Sequence, residues 1–301
     1  MNTEILQYVG KNLYKTHILK ELKRYVVFMT RCHLHKSYME DILGFFDASQ
    51  LRRDMLQGTP SFVEQVTRAF FYKNSKWAER VELVKTHVAI MEEQFKPELL
   101  AKLYAKCERV RVWEDMYQEK PLGMDLLFHA GQRKEGCLSL ILDYEGEALY
   151  QIMFWLGRDR ISGHTALYIG ALQGPQNGSE LIKGLTKAFY GYRTKNLIFY
   201  GIRNVAKVLD VKNIYAVTNE GYYAMNHIRR DRKLKTSFSD FWAECEGVPC
   251  EDNRFYVMPV EEYRKSMEEL KPSKRAQHRR RFEKMDEITA AVAKNLAVYK
   301  K

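Results

Sequence analysis

The turn Gln173-Gly174-Pro175-Gln176-Asn177-Gly178-Ser179 lies between an apolar run and an amphipathic one, and it is the part of this sequence most suited to binding chemistry. A turn that opens a helix leaves backbone N–H groups without partners inside the helix, so Gln173, Gly174, Asn177, Gly178 and Ser179 form a candidate cradle for a phosphate group. No Gly-Lys-Ser/Thr follows, which argues against a nucleoside-triphosphate loop, and Gly170, Gly174 and Gly178 lack the Gly-x-Gly-x-x-Gly spacing of dinucleotide sites. The plain alternative is a strand-to-helix turn with no ligand. Arg193, just past Gly191, is a candidate clamp for an anion or the partner of a carboxylate, the second being the simpler role. Cys245 and Cys250 have no second cysteine pair nearby, and His227 and Cys137 would complete a metal site only by accident of folding, so no metal is expected. No Gly-x-Ser-x-Gly nucleophile elbow is present.

A chain of 301 residues, 46% hydrophobic and 29% charged, can bury a full core, which excludes a disordered protein and a disulfide-stapled miniature. Met1 to Lys11 lacks the basic start and long apolar run of a secretory signal. The most apolar stretches, Tyr25 to Met29 and Leu197 to Ile202, fall far short of the roughly 20 residues that span a bilayer. The expected location is the cytoplasm, with at most peripheral contact with the inner membrane. Five scattered cysteines suit thiols in a reducing compartment. The net charge of +11 is concentrated in Arg229 to Lys235 and Lys271 to Lys284. Arg229, Arg230, Lys274, Arg275, Arg279, Arg280 and Arg281 are therefore the candidate contacts for an anionic membrane surface or acidic protein surface, or else a solvated helix face. Few aromatics lie among the basic residues of the tail, so nucleic acid ranks lower as a partner.

These features need a frame. From Tyr14 to Leu103 the spacing predicts three or four helices, with Ile18, Leu22, Tyr25, Val26 and Met29 on one face and Trp77, Val81, Val84, Val88, Met91 and Phe95 on another. Gly58-Thr59-Pro60 and Lys96-Pro97 mark breaks. Beyond Glu108 the texture is that of strands. Arg109 to Trp113 is a candidate first strand, and Cys137 to Tyr144, Glu147 to Leu156 and Thr165 to Leu172 predict an antiparallel meander with a tight turn at Glu145-Gly146. The near-continuous apolar run Ala166 to Leu172 predicts a central strand covered on both faces. Two helices follow, the first with Asn177 and Ser179 as candidate caps, and lead to Ile214 to Thr218, a strand expected to lie parallel beside it. Phe255 to Met258 predicts a further strand, Val260 to Leu270 a helix, and the chain ends in a basic helix carrying Phe282, Met285, Ile288 and Val292 on one side. The expected organisation is a helical region over 1–105, a mixed core over 106–270 and a basic helix over 271–301, an α+β (mixed α/β) fold.

The runs Leu167 to Gly174, Leu185 to Arg193 and Pro272 to Arg281, with Phe241-Trp242 and Gly247, resemble the VirK/YbjX family over about Ser61 to Asp286. Where that family usually has a histidine after the second central strand, this chain has Thr218-Asn219-Glu220-Gly221-Tyr222. The resemblance implies a bacterial protein linked with virulence, envelope maintenance and tolerance of cationic antimicrobial peptides, and implies no settled reaction. The order of elements also resembles the GNAT-like acyltransferase plan, in which a meander feeds a turn and helix that hold the pyrophosphate of coenzyme A. Its usual Gln/Arg-x-x-Gly-x-Gly/Ala spacing is missing here, and two helices rather than one separate the strands. That likeness implies coenzyme A or an acyl carrier thioester as donor. Acyl transfer needs a base near the acceptor and a proton donor for the departing thiolate, for which His129, His164, Glu220 and Tyr222, beside Tyr223, are the candidates. The rival expectation is a binding protein without catalysis that engages anionic lipid, acidic protein surface or nucleic acid through its basic segments.

Overall fold

The computed structural model describes residues 3–159, 162–175, 178–226 and 237–301. Before the first strand come α1 (Thr3–Leu13), α2 (Leu19–Leu34), α3 (Lys36–Asp47), α4 (Gln50–Gly58), α5 (Ser61–Thr67), α6 (Trp77–Gln94) and the short α7 (Pro97–Leu100). The expected breaks at Gly58 and Pro97 hold, but the region is cut into more pieces than the three or four helices read from spacing. On α6 the apolar face is buried as its periodicity requires, Val81, Val84, Val88 and Met91 being at most 3% exposed.

The sheet starts with a hairpin of β1 (Val110–Tyr117) and β2 (Lys120–Leu127) and continues antiparallel through β3 (Leu138–Tyr144), β4 (Glu147–Arg158) and β5 (Thr165–Gln173). Next, α8 (Ser179–Ala188) and α9 (Thr194–Val208) carry the chain across to β6 (Asn213–Val217), which lies parallel to β5. After α10 (Phe238–Glu244), the strands β7 (Val248–Pro249) and β8 (Phe255–Met258) complete an eight-stranded sheet in the order β1-β2-β3-β4-β5-β6-β8-β7. The last helix, α11 (Pro272–Ala297), packs on α9 and β1 and buries Met285, Ile288, Val292 and Leu296. The fold is α+β, and the expected central pair is present: Ala166, Leu167 and Ile169 of β5 and Ile214 and Ala216 of β6 are all fully buried. On one face α9 presses so closely that a Cβ at Gly201 would come 2.5 Å from the Met124 sulfur. On the other, Trp155, Tyr168 and Tyr215 stack across β4, β5 and β6 with centroids 5.4 and 4.9 Å apart, each pair contributing roughly 0.5–1.5 kcal/mol beyond its burial.

Two expectations need correction, and one hairpin goes beyond what the sequence reading held. The first hairpin was not legible beyond its opening strand, because its turn places Gln118 and Glu119 at positive φ (51° and 62°) where glycine or asparagine would be the usual signal. Val260 to Leu270 is not a helix: Lys207 pairs with Glu261 at 2.6 Å, Tyr192 donates to Glu262 at 2.7 Å and Tyr263 donates to Glu269 at 2.6 Å, holding the segment as an irregular strap. At the start of α8 the N-cap position is taken by Gly178 (φ 129°), not by Asn177 or Ser179, and Asn177 lies outside the described residues.

Candidate functional site

The two parallel strands part company. Pairing runs from Ala166↔Asn213 only to Ile169↔Ala216, although β5 continues to Gln173. At that point the register between β4 and β5 shifts, from Phe154↔Ile169 to Met153↔Ala171, which makes Gly170 the extra residue of a bulge and increases the local twist. Only glycine fits there, since a Cβ would lie 1.9 Å from the Glu135 carbonyl oxygen. On β6 the Thr218 N–H donates to Arg254 O, toward β8, so by the alternation of a strand the Val217 carbonyl faces the β5 side. It accepts the indole N–H of the fully buried Trp242 at 2.9 Å. Trp242 therefore stands where the next rung between β5 and β6 would form, and it fixes the gap.

A polar cluster closes one side of this gap. The loop between β2 and β3 is anchored by α5: Gln65 donates to the carbonyls of Arg133 and Gly136, both at 2.8 Å, and Glu64 accepts from Arg133, from Arg68 at 3.1 Å and from Tyr14 at 2.8 Å. Burial pushes the Glu64 carboxyl up, but the hydrogen bond and charge of Arg133, with Tyr14 and Arg68, outweigh it and hold the group below the usual carboxylate range. Phe71 N–H bonds the Lys134 carbonyl at 2.8 Å. So held, the loop delivers Gln132 and the buried Glu135 to the end of β5, where Gln132 and Gln173 exchange amide hydrogen bonds of 2.8 and 3.1 Å and Gln173 also donates to Glu135 at 3.3 Å. Gln151, the register partner of Gln173 on β4, is buried with its Nε2 lacking a hydrogen-bond partner among the described residues.

From β6 comes Tyr222, whose hydroxyl donates to Glu135 at 2.7 Å. Burial, then the adjacent Glu135 charge and hydrogen bond, raise its pKa far above the ordinary phenol value, so the proton stays on oxygen. The preceding turn is rigid. Thr218 Oγ accepts from Gly221 N–H at 2.8 Å, Asn219 Oδ1 accepts from Phe238 N–H at 2.7 Å, and Asn219 Nδ2 donates to Ser237 at 2.9 Å, tying β6 to the start of α10.

Of the catalytic candidates read from the sequence, only Tyr222 enters this cluster. His129 begins the same loop but is exposed, with its carbonyl accepting Gln132 N–H at 2.9 Å. Glu220 is exposed in the turn before Tyr222. His164 precedes β5 and so lies at the opposite end of that strand from Gln173, about 30 Å away by strand length. Among the candidate donor residues, Gln173, Gly174 and Gly178 line the end of β5 and the start of α8, and Ser179 is the first residue of that helix. Arg193 pairs with Glu244 at 2.6 Å, the simpler of its two expected roles. Arg229 and Arg230 lie outside the described residues. Lys274, Arg275, Arg279 and Arg280 are exposed on α11, whereas Arg281 turns inward: its Nη2 at 2.7 Å and Nε at 3.2 Å, with Gln277 Nε2 at 3.0 Å, converge on the Tyr190 carbonyl just past α8. Arg281 thus clamps the end of α8. Gln132, Glu135 and Gln151 were missed, the first two because a polar, glycine-flanked loop gives no sign of where it will be carried.

Comparison with known proteins places the chain in a family. Residues 17–294 match the model described as protein of unknown function (DUF535), and the chain belongs to that family, in keeping with the VirK/YbjX resemblance of its motifs. It is 26% identical over 245 residues to the uncharacterized protein YbjX of Escherichia coli K12, covering 79% of this chain and 73% of that one. It is also 26% identical over 125 residues to an uncharacterized protein of Haemophilus influenzae, covering 40% and 41% of the two chains. No solved structure matches. Among the described residues no helix is long and apolar enough to cross a membrane.

Proposed function

We propose that this chain is an acyltransferase that takes its acyl group from a thioester of coenzyme A or of an acyl carrier protein, bound where β5 and β6 part. The observation that supports this reading is the bulge at Gly170 together with the end of pairing at Ile169↔Ala216: the strand edge from Gly170 to Gln173 is released from its parallel neighbour. The amide-bearing pantetheine arm of such donors is suited to pairing with a free strand edge. Directly beyond lies the N-terminus of α8, where unpaired N–H groups and the helix dipole favour a phosphate.

The cluster supplies the proton path. An acceptor amine attacks the thioester carbonyl, the C–S bond breaks, and Glu135 takes the proton lost by nitrogen. Tyr222 passes its hydroxyl proton to the departing sulfur as Glu135 hands the captured proton back to it along their 2.7 Å contact, so no phenolate forms and both groups end as they began. Gln173 orients Glu135, and Gln132 orients Gln173. The envelope role that the VirK/YbjX resemblance implies suggests an envelope component or its precursor as acceptor.

Native mass spectrometry of the purified chain incubated with coenzyme A, acyl-coenzyme A and acyl carrier protein tests the reading. A bound donor is expected, retained in Glu135→Gln while transfer to an amine acceptor falls by about 10²-fold or more. Bare protein under all these conditions would overturn it and favour the binding-protein alternative, for which the exposed cations of α11 are the surface.

A further inference from the structure

The sequence marks Ile18, Leu22 and Val26 as an apolar helix face, yet the structure leaves them 43%, 39% and 53% exposed, with Leu19 at 69%. These residues project on one side of α2, while the helix buries only Phe28 and Cys32 on another. An open groove of about 440 Å³ continues the apolar surface along the helix past Val26 and Met29 to Leu34. Lys20 and Lys23 border the stripe and are exposed, and the one acidic residue between Lys15 and Leu34, Glu21, is half-buried and paired with Arg24 at 2.6 Å.

We infer that α2 is a membrane-docking helix that lies in the headgroup region of an anionic lipid surface, with Ile18, Leu19, Leu22 and Val26 inserted and Lys20 and Lys23 on the phosphates. An apolar face bordered by lysines on a helix too polar to span is the pattern of an interfacial helix. The charge pattern selects lipid over a second copy of this chain: a self-complementary contact of α2 would set the same cations against one another, and the one carboxylate between Lys15 and Leu34, that of Glu21, is already paired with Arg24. This inference stands apart from the proposed reaction, since it uses none of the residues of the β5–β6 gap.

Flotation of the full chain with vesicles tests it. Binding is expected to phosphatidylethanolamine vesicles containing phosphatidylglycerol and to be much weaker with phosphatidylcholine alone. The double variant Leu22→Gln, Val26→Gln changes only exposed side chains and should lower partitioning by at least about tenfold with thermal stability unchanged. Lys20→Gln and Lys23→Gln should each lower binding to the anionic vesicles about fivefold and flatten its salt dependence. If the α2 variants bind like wild type while Arg275→Gln, Arg279→Gln, Arg280→Gln abolishes binding, the contact lies on α11 and the inference fails. It fails equally if the chain is a dimer that Leu22→Gln, Val26→Gln dissociates.

Discussion

His87 shows how much a single buried side chain settles. Its Nδ1 accepts the Leu156 N–H at 3.0 Å where β4 runs on past β3, which fixes the proton on Nε2, and that nitrogen faces Tyr104 Oη at 2.7 Å. Complete burial lowers its pKa to about 3. The unfolded chain binds a proton near pH 6.5 and the folded chain does not, so the stability from this site is full above that value and is lost as the pH falls toward the folded value. Between pH 7 and pH 5 this group should cost the folded state about 2 kcal/mol, and urea unfolding of His87→Gln should show a correspondingly shallower acid slope. An unchanged slope would mean that His87 is protonated in the folded protein. The site residues divide along the same line of context. Tyr222 was legible because it follows a strand end, whereas Glu135 becomes a candidate base only when Gln65 and Glu64, some seventy positions earlier in the chain, hold its loop against Gly170.

At the scale of elements, β5 and β6 were readable because strands covered on both faces are written as unbroken apolar runs. The bulge within β5 was not, since Gly170 in an apolar strand reads the same whether it bends the strand or merely allows close packing. Nor did the acidic run at Glu261-Glu262 reveal that its carboxylates would serve Lys207 and Tyr192 rather than a helix surface. Trp242 is the element-level device that keeps the two strands apart. Trp242→Phe retains a ring against Phe199 but removes the N–H from the Val217 carbonyl, and leaving that buried acceptor unpaired should cost about 1–3 kcal/mol by urea unfolding. A loss within about 0.5 kcal/mol would show that β6 closes onto β5 without it, and the gap would not be a built feature.

Over the whole molecule, the seven helices before the first strand carry the α2 face and, through α5, brace the loop of the candidate site, so the sheet and its N-terminal layer act together. Charge was legible as an amount and less so as a location, because Arg281 and Lys284, both counted in the basic tail, bond to Tyr190 and Asp115 within the fold. The central claim, a thioester donor between β5 and β6, is tested most directly by thermal unfolding with and without ligand. At about a hundredfold over its dissociation constant, coenzyme A, an acyl-coenzyme A or acyl carrier protein should add roughly 2.7 kcal/mol of stability, a rise in Tm of about 5 °C. Gly178→Val should abolish that rise, because φ at Gly178 is 129°, a backbone angle that valine resists, at the very point where α8 would meet the phosphates. Wild-type protein that shows no shift with any of these donors, or a Gly178→Val protein that shifts as much as wild type, would contradict the account.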